Sequence, residues 1–160
     1  MYHGQRIPGF PAHPHRGFET VTLVTKGTVD HADSLKAAGR YGDGDTQWMT
    51  AGSGVQHSEM FPMIHDDKPN HMELFQIWLN LPSKSKMVKP HFAMLWAKDT
   101  PWHKEQDPQC NNIAVRLVAG PLGGAQPVSP PPDSWAGDSD NKVAIWIIEF
   151  DFKLKITKER

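Results

Sequence analysis

Two short clusters of potential metal ligands are the residues of this 160-residue chain best suited to chemistry. One residue separates His13 from His15, and one residue separates His57 from Glu59. In an extended strand, residues i and i+2 point to the same face, about 7 Å apart along the chain. Two such strands side by side would aim three imidazoles and one carboxylate at a single point. This donor set predicts a site for a first-row transition metal.

The ligand types limit the identity of the metal to several first-row transition metals but do not select one. Imidazole and carboxylate suit Fe, Mn, Co, Ni, Cu and Zn, and no thiolate in the two clusters favours a structural zinc site. Four protein ligands on an octahedral metal leave two positions for substrate, water or dioxygen. The spacing alone is modest support, because pairs separated by one residue arise by chance in a chain with nine histidines.

The elements that must position these clusters are predicted to be short strands joined by Gly-rich turns. Almost no segment has the 3.6-residue period of an amphipathic helix, so the sequence indicates an all-β barrel or sandwich. The predicted strands are 19–25, 28–33, 46–50, 55–60, 72–81, 113–119 and 143–156, and the segments 87–90 and 91–96 could also be extended. Segment 28–33 is predicted to be the hairpin partner of 19–25, and 72–81 is predicted to be a buried central strand. The predicted irregular parts are the first dozen residues, a turn region at 39–45, a helical turn within 99–107, and a long Pro/Gly/Ser-rich loop or linker at 121–141.

Bulk composition excludes several classes of partner. The formal net charge is -1, which favours neither a phosphate backbone nor an anionic lipid surface. No segment approaches the ~20 apolar residues that span a bilayer, and the N-terminus has no apolar run of signal-peptide length. Cys110 is the single cysteine, so an intramolecular disulfide is impossible and a reducing, cytoplasmic compartment is expected, with a nuclear location as the alternative in a eukaryote.

Three longer motifs surround the two clusters and carry a family resemblance. HPHRGFETVT begins at His13, GDGDTQWMTAGSGVQHSEM begins at Gly42, and QIWLNLP begins at Gln76. These segments resemble the N-terminal cupin domain of the pirin family over about residues 10 to 120. The resemblance implies a cupin-type β-barrel or jelly roll with a C-terminal strand extension.

The resemblance also implies a ligand set. By position, His13, His15, His57 and Glu59 would hold one divalent transition metal, with Fe(II) expected first and Zn, Mn, Ni, Co or Cu as alternatives. Glu19 matches the glutamate of the general cupin motif, and by analogy with pirins it is expected to support the metal ligands or the fold without binding the metal itself. Glu59 would also be the candidate catalytic base.

The chain departs from the usual pirin pattern in length. Pirins are usually bicupins, whereas here the first motif starts at residue 13 and the chain ends soon after what resembles the first strand of a second barrel. The expected division is a pirin-like cupin domain at 1–120, a linker or loop at 121–141, and a C-terminal β segment at 142–160. This pattern predicts a naturally shortened pirin or a fragment of one. Open barrel edges would then be covered by another copy of the chain or by a partner protein.

Other notable residues are expected to be structural or exposed. Trp48, Met49, Phe18, Phe75 and Trp78 are expected in the barrel core, where some could line a pocket for an aromatic substrate. His31 lies on a predicted strand but has no partner at ligand spacing. Surface or hydrogen-bonded positions are expected for His3, His65, His71, His91 and His103. Cys110 is expected to be an ordinary thiol. The basic residues of the C-terminal tail, Lys153, Lys155, Lys158 and Arg160, are expected to be solvated.

Three functions follow from these observations. The first is a non-haem metal dioxygenase, for which the family resemblance suggests flavonols such as quercetin as a small aromatic substrate. The second is a metal- and redox-responsive module that binds partner proteins without turnover. The third is a storage or structural barrel with an empty site. Direct nucleic-acid binding and membrane association are not expected.

Overall fold

Three antiparallel sheets stacked in layers make up the protein. The computed structural model describes residues 7–108 and 111–151, so Cys110, His3 and the basic tail lie outside the described residues. The strands are β1 (Gly9–His15), β2 (Phe18–Lys26), β3 (Thr28–Asp33), β4 (Ala38–Gly42), β5 (Thr46–Thr50), β6 (Val55–Met60), β7 (Glu73–Asn80), β8 (His91–Leu95), β9 (Trp102–Gln106), β10 (Asn112–Ala119) and β11 (Ile145–Asp151). Short 3-10 turns lie at Ser83–Ser85, Trp135–Gly137 and Ser139–Asn141. The expected all-β, cupin-type architecture is confirmed.

Two four-stranded sheets face each other. The first has the order β1-β6-β3-β4 and the second β7-β2-β5-β8. Their inner faces bury apolar clusters that include Val24, Val29 and Tyr41 at one end and Met49 and Val55 at the other. Burial of these side chains away from water is the main stabilising term for such a sandwich.

The third sheet, β11-β10-β9, packs on the outside of the second. Val21, Leu23 and Trp48 of the second sheet form one core with Val118 and Ala119 of β10, and Ile145 and Ile147 of β11 pack against it. Both faces of β2 are therefore buried, because its successive side chains alternate between the inner and the outer core. β11 belongs to the same packed unit, and its assignment to the start of a second cupin stays a prediction.

Strand β3 does not form the hairpin with β2 that the sequence predicts. β2 already has β5 on one side and β7 on the other, so neither of its edges is free. Gly27, with a φ of +83°, turns the chain instead into the facing sheet, where β3 pairs with β4 and β6. The hairpin prediction was wrong because a Lys-Gly turn signal does not say which sheet receives the next strand.

Strand β7 is an edge strand of its sheet and not the buried central strand predicted from its apolar run. Leu74 faces the inner core, whereas Phe75 and Trp78 are 59% and 65% exposed. The prediction that Phe75 and Trp78 belong to the core was therefore wrong, although Trp48 and Met49 are core residues as expected. An apolar run indicates that both faces of a strand carry apolar side chains, but it does not show whether the strand has one neighbour or two.

Three further segments are more regular than predicted. Part of the expected irregular lead-in is regular, because β1 begins at Gly9; its two prolines are tolerated on an edge strand, where no neighbour needs their missing N–H groups. The turn region at 39–45 overlaps β4, which the buried Tyr41 anchors in the core. The helical turn expected within 99–107 is β9, which pairs with β10 along its whole length.

The loop at 121–141 is irregular, as expected, but it is attached to the core. Val128 and Ala136 pack against the outer cluster, and Ser134 and Trp135 bind Glu19. In the described ranges, β7 and β11 lie at sheet edges and expose Phe75, Trp146, Ile148 and Phe150 among other apolar side chains. That a second copy or another protein covers these edges stays a prediction. No helix in the described part of the chain is long and apolar enough to cross a membrane.

Candidate metal centre

Two paired strands of the first sheet bring the predicted histidines together. β1 and β6 run antiparallel, with His13 directly opposite His57 and His15 opposite Val55. Residues directly opposite each other across such a pair project to the same face, so all three imidazoles point into the sandwich. This cross-strand pairing, in addition to the i and i+2 spacing, closes the cluster.

A β-bulge in β1 sets this register. Phe10 is paired with Glu59 and His13 with His57, so three steps along β1 match two steps along β6. The extra residue shifts the alternation of side chains by one position. Without it, Ala12 and not His13 would face His57. The turn that leads into β6 depends on Gly52, whose φ is +52° and where a Cβ would collide with the Val88 carbonyl.

The three imidazoles form a group that could hold a metal ion. One nitrogen of each lies within 4.8 Å of the others. His13 Nε2 is 3.0 Å from His15 Nε2 and 3.1 Å from His57 Nε2. Ligands about 2.1 Å from a metal and at right angles to each other are about 3.0 Å apart, so both separations fit adjacent positions of one coordination sphere.

The hydrogen bonding of His13 shows why a cation fits this cluster. His13 Nδ1 lies 2.8 Å from the carbonyl oxygen of Pro11, which can only accept, so Nδ1 carries the hydrogen of the neutral ring. The lone pair of His13 Nε2 then points toward two other imidazole nitrogens. A divalent metal turns that crowding of lone pairs into coordination, so the residues present fit the group.

Glu59 lies beside the three histidines. Its Oε2 is 3.9 Å from His57 Nε2, and its side chain is almost fully buried. The Gln76 amide donates to Oε2 at 3.0 Å, and the Tyr41 hydroxyl is 3.5 Å from Oε1. The carboxylate is therefore held between the two facing sheets, since Gln76 belongs to β7 and Glu59 to β6.

Burial shifts the pKa values of several groups at this centre. Desolvation, followed by the charges of His15, His13 and His31, lowers the pKa of His57 to about 3, although Asp33 acts in the opposite direction. Burial and then His13 lower the pKa of His15. Burial and then the Glu59 charge raise the pKa of Tyr41. The two histidines with lowered pKa values are neutral at pH 7, the form in which imidazole binds metals.

Aromatic side chains surround the histidines. His15 makes edge contacts with Phe18 and Trp78, with ring centroids 5.0 and 5.7 Å apart. A depression of about 270 Å³ beside this pair is lined by Arg16, Gly17, Phe18, Trp78, Asn80 and Lys86. A second depression, of about 310 Å³, lies beyond His15 and is lined mostly by β1, β6 and Ser34. The first combines aromatic faces with cations and adjoins the His15 ring.

Glu19 has the structural role expected for it. It is fully buried on the opposite face of β2, the face that packs against the third sheet. Its carboxylate accepts hydrogen bonds from Trp48 Nε1 at 2.6 Å, Ser134 Oγ at 2.8 Å and the Trp135 backbone N–H at 3.0 Å. Glu19 therefore ties the long loop to the second sheet.

The sequence reasoning missed His31, which contacts the cluster, and Asp33, which contacts His31. His31 Nδ1 lies 3.3 Å from His57 Nδ1, and His31 Nε2 lies 2.9 Å from Asp33 Oδ2. His31 and Asp33 have the same i and i+2 spacing as the two ligand clusters, which was the available signal. Among the other histidines, His91 pairs with Asp133 and His103 with Glu105, in agreement with hydrogen-bonded surface positions.

Comparison with known proteins agrees with the motifs. The family model described as Pirin matches residues 1–79. A candidate quercetin 2,3-dioxygenase of Pseudomonas aeruginosa is 47% identical over 97 residues, covering 61% of this chain and 34% of the relative. Human pirin is 40% identical over 120 residues, covering 74% of this chain and 38% of the relative.

A solved structure supports the same relationship. The crystal structure of quercetin 2,3-dioxygenase from Acinetobacter baumannii matches with a TM-score of 0.68 at 38% identity, covering 79% of this chain and 43% of that chain. The chain thus spans about a third of the length of the two curated relatives and less than half of that structure.

Proposed function

This chain belongs to the pirin family, and from that premise we propose that it is a metal-dependent dioxygenase that acts on flavonols such as quercetin. Its metal ligands are His13, His15, His57 and Glu59, and its metal is Fe(II). The observation that carries the proposal is the convergence of three imidazole nitrogens, two pairs of them 3.0 and 3.1 Å apart, with His15 and His57 buried and a buried carboxylate beside them.

The ligand set leaves room for reactants. If the metal is octahedral, three imidazoles and one carboxylate would occupy four of its six positions. When bound, the metal supplies Lewis acidity, which lowers the pKa of a flavonol hydroxyl and favours attack by dioxygen on the resulting electron-rich ring. The separations within the cluster require little movement of His13, His15 or His57 to bind it.

Glu59 is positioned to receive the hydroxyl proton. Its carboxylate is almost fully buried, and the Gln76 and Tyr41 side chains donate to its two oxygens. Those two contacts fix its orientation, which a general base needs in order to reach its substrate at hydrogen-bond distance. Trp78 Nε1 donates in turn to Gln76 Oε1 at 2.8 Å, so the indole at the surface is linked to the buried base.

The flavonol is proposed to enter along the depression between Phe18 and Trp78. Both rings contact His15, and the Trp78 indole is 65% exposed, so its face is available to a ligand. Aromatic faces suit the fused rings of a flavonol, and Arg16 and Lys86 at the rim suit its acidic hydroxyl groups. Lys86 Nζ already donates to Asn80 Oδ1 and the Gly17 carbonyl, which holds the rim together.

A second candidate function is a metal- and redox-responsive module that binds a protein partner. The exposed apolar side chains on the edge strands, Phe75 and Ile148 among them, favour it. Here the metal would set surface conformation and charge without turnover. A pull-down with metal-loaded and chelator-treated protein tests this alternative, and identical partners in both samples would count against it.

Aerobic turnover of quercetin by Fe(II)-loaded protein tests the main proposal. Flavonol absorbance should fall with the consumption of one dioxygen per quercetin, and His57→Ala should abolish this loss. His65→Ala, which changes a histidine whose backbone N–H and carbonyl bind the Asn70 side chain, is the matched control and should keep the activity. Equal rates in wild type and His57→Ala would contradict the proposal.

A further inference from the structure

Strand β3 places a buried pair behind the metal centre. Asp33 is opposite His57 and His31 is opposite Glu59 in the β3–β6 register, so all four side chains project from the same face. The side chains of His31 and Asp33 are each 1% exposed. The Phe92 ring packs against His31 with centroids 5.3 Å apart, so an apolar ring covers part of this buried imidazole.

A row of hydrogen bonds leads from Asp33 through His31 to His57 of the cluster. Asp33 Oδ1 accepts the backbone N–H groups of Leu35 and Ala37 at 2.8 and 3.1 Å. Its other oxygen, Oδ2, is 2.9 Å from His31 Nε2, and His31 Nδ1 is 3.3 Å from His57 Nδ1. The far nitrogen of His57, Nε2, is the one that faces His13.

The chemistry of the partners fixes the direction of each hydrogen bond. A carboxylate only accepts, so His31 Nε2 carries the hydrogen and Nδ1 of the neutral ring is an acceptor. His57 Nδ1 must then donate, which leaves the lone pair of His57 Nε2 free toward the cluster. His13 reaches the same state through a backbone carbonyl, that of Pro11.

We propose that Asp33 and His31 are positioning residues that select the Nδ1–H tautomer of His57 and thereby present its Nε2 to the metal. This inference rests on the metal site of the proposed function. Asp33 and His31 would then hold a metal-binding histidine in place without binding the metal themselves. Loss of such a contact commonly lowers metal affinity about 10- to 100-fold.

The substitution Asp33→Asn tests the direction of these hydrogen bonds, because it changes the donor and acceptor groups of the side chain but hardly its size and shape. Two backbone N–H groups face Oδ1, so the amide oxygen of Asn takes that place and the NH₂ group faces His31 Nε2. His31 must then accept at Nε2 and carry its hydrogen on Nδ1, where it opposes the Nδ1–H of a metal-bound His57. Zn²⁺ affinity should fall about 10- to 100-fold.

The matched control is Asp30→Asn on the same strand. Asp30 pairs with Arg40 at the surface and has no contact with the cluster, so its loss removes one negative charge without reversing any buried hydrogen bond. Zn²⁺ affinity, measured by competition with a chromophoric chelator, should stay within about twofold of wild type. A Zn²⁺ affinity of Asp33→Asn equal to that of the control would overturn the proposal.

Nitrogen-15 NMR of the Zn²⁺-loaded wild type tests the same point without any substitution. The proposal predicts a scalar coupling across the hydrogen bond between the two Nδ1 atoms, with the hydrogen on His57 and the other ring hydrogen of His31 on Nε2. A hydrogen on His31 Nδ1 overturns it, even if Asp33→Asn fails to fold. Wild type that binds no Zn²⁺ overturns both this inference and the metal site.

Failure of the two proposals can be told apart. A protein that binds Zn²⁺ with the predicted tautomers but does not turn over quercetin contradicts the dioxygenase proposal alone. A protein that turns over quercetin in its Fe(II) form, but whose Zn²⁺ form carries the His31 hydrogen on Nδ1, contradicts only the positioning role.

Discussion

His13 and His57 stand directly opposite each other on β1 and β6, and their Nε2 atoms are 3.1 Å apart. The Pro11 carbonyl fixes the hydrogen of His13 on its other nitrogen, so its Nε2 lone pair faces the cluster. His13 is opposite His57 because β1 contains one extra bulge residue. The register of β1 and β6 therefore determines whether the candidate site forms.

Metal removal should lower thermal stability. A ligand that binds only the folded state at 100 times its Kd adds about 2.7 kcal/mol, which for a chain of this size shifts Tm by about 5–10 °C. Melting of metal-loaded and EDTA-treated protein measures the difference. His57→Ala should show no such response to metal, and a full response in that variant would place the bound metal elsewhere.

The substitution Glu19→Gln should destabilise the fold without weakening the metal site. The amide keeps one acceptor oxygen but places an NH₂ group against a former donor, in a position that is fully buried. Loss of a buried, charge-assisted hydrogen bond costs about 2–4 kcal/mol. Urea unfolding of the metal-free protein measures that loss.

The same variant separates Glu19 from the metal ligands. Its Zn²⁺ affinity should stay within about threefold of wild type, because Glu19 projects from the opposite face of β2. A Zn²⁺ affinity that falls as far as that of His57→Ala would make Glu19 a ligand and contradict its role as a tie between loop and sheet.

The substitution Trp78→Ala should raise KM for quercetin several-fold with little effect on Tm. The indole is 65% exposed, so its removal costs little core burial, but it contributes one aromatic wall of the depression beside His15. Trp146→Ala is the control, since that indole lies on the third sheet and donates to the Gly120 carbonyl. Equal KM values for both variants would remove Trp78 from the substrate path.

Acid should destabilise the metal-free protein through His57. The pKa of His57 falls from about 6.5 in the unfolded chain to about 3 in the folded protein, so between these values the unfolded state binds more protons. This contribution is complete above about pH 6.5 and is lost as the pH falls toward 3.

A comparison of wild type with His57→Gln isolates that contribution. The variant lacks the titrating group, so the Tm of wild type minus that of the variant should shrink as the pH is lowered from 7.5 to 4.5. Both proteins are measured in EDTA. A difference that stays constant or grows over this range would contradict the lowered pKa.

The sequence predicted the sheet-rich fold from the spacing of its apolar residues and turns, and the meeting of His13, His15 and His57 from their i and i+2 spacing together with long motifs. It did not show the bulge in β1 that sets the β1–β6 register and closes the cluster. It could not predict that β3 leaves β2 for the facing sheet, since strand pairing is decided by which edges remain free. For the same reason it missed His31. The i and i+2 spacing of His31 and Asp33 is visible in the sequence, but its value depends on the β3–β6 register.

Side chains at the edges of the fold were the hardest to place. Phe75 and Trp78 lie in the apolar run of β7, yet they are exposed, whereas Trp48 lies among the polar residues of β5 and is fully buried. The third sheet packs outside β2 and β5 and covers Trp48, but it does not reach Phe75 on the outer side of β7. Trp78 lies on the other face of β7, the face of Gln76, where it contacts His15 and Phe18 and stays 65% exposed. No local pattern in the sequence carries that information.

Anomalous diffraction from crystals of the metal-loaded protein tests the metal site most directly. We expect one metal peak per chain, about 2.0–2.3 Å from Nε2 of His13, His15 and His57 and from an oxygen of Glu59. Two remaining coordination positions should be held by non-protein ligands. No peak at this cluster, or a peak bound by other residues, would contradict the central claim that these four side chains form the metal centre.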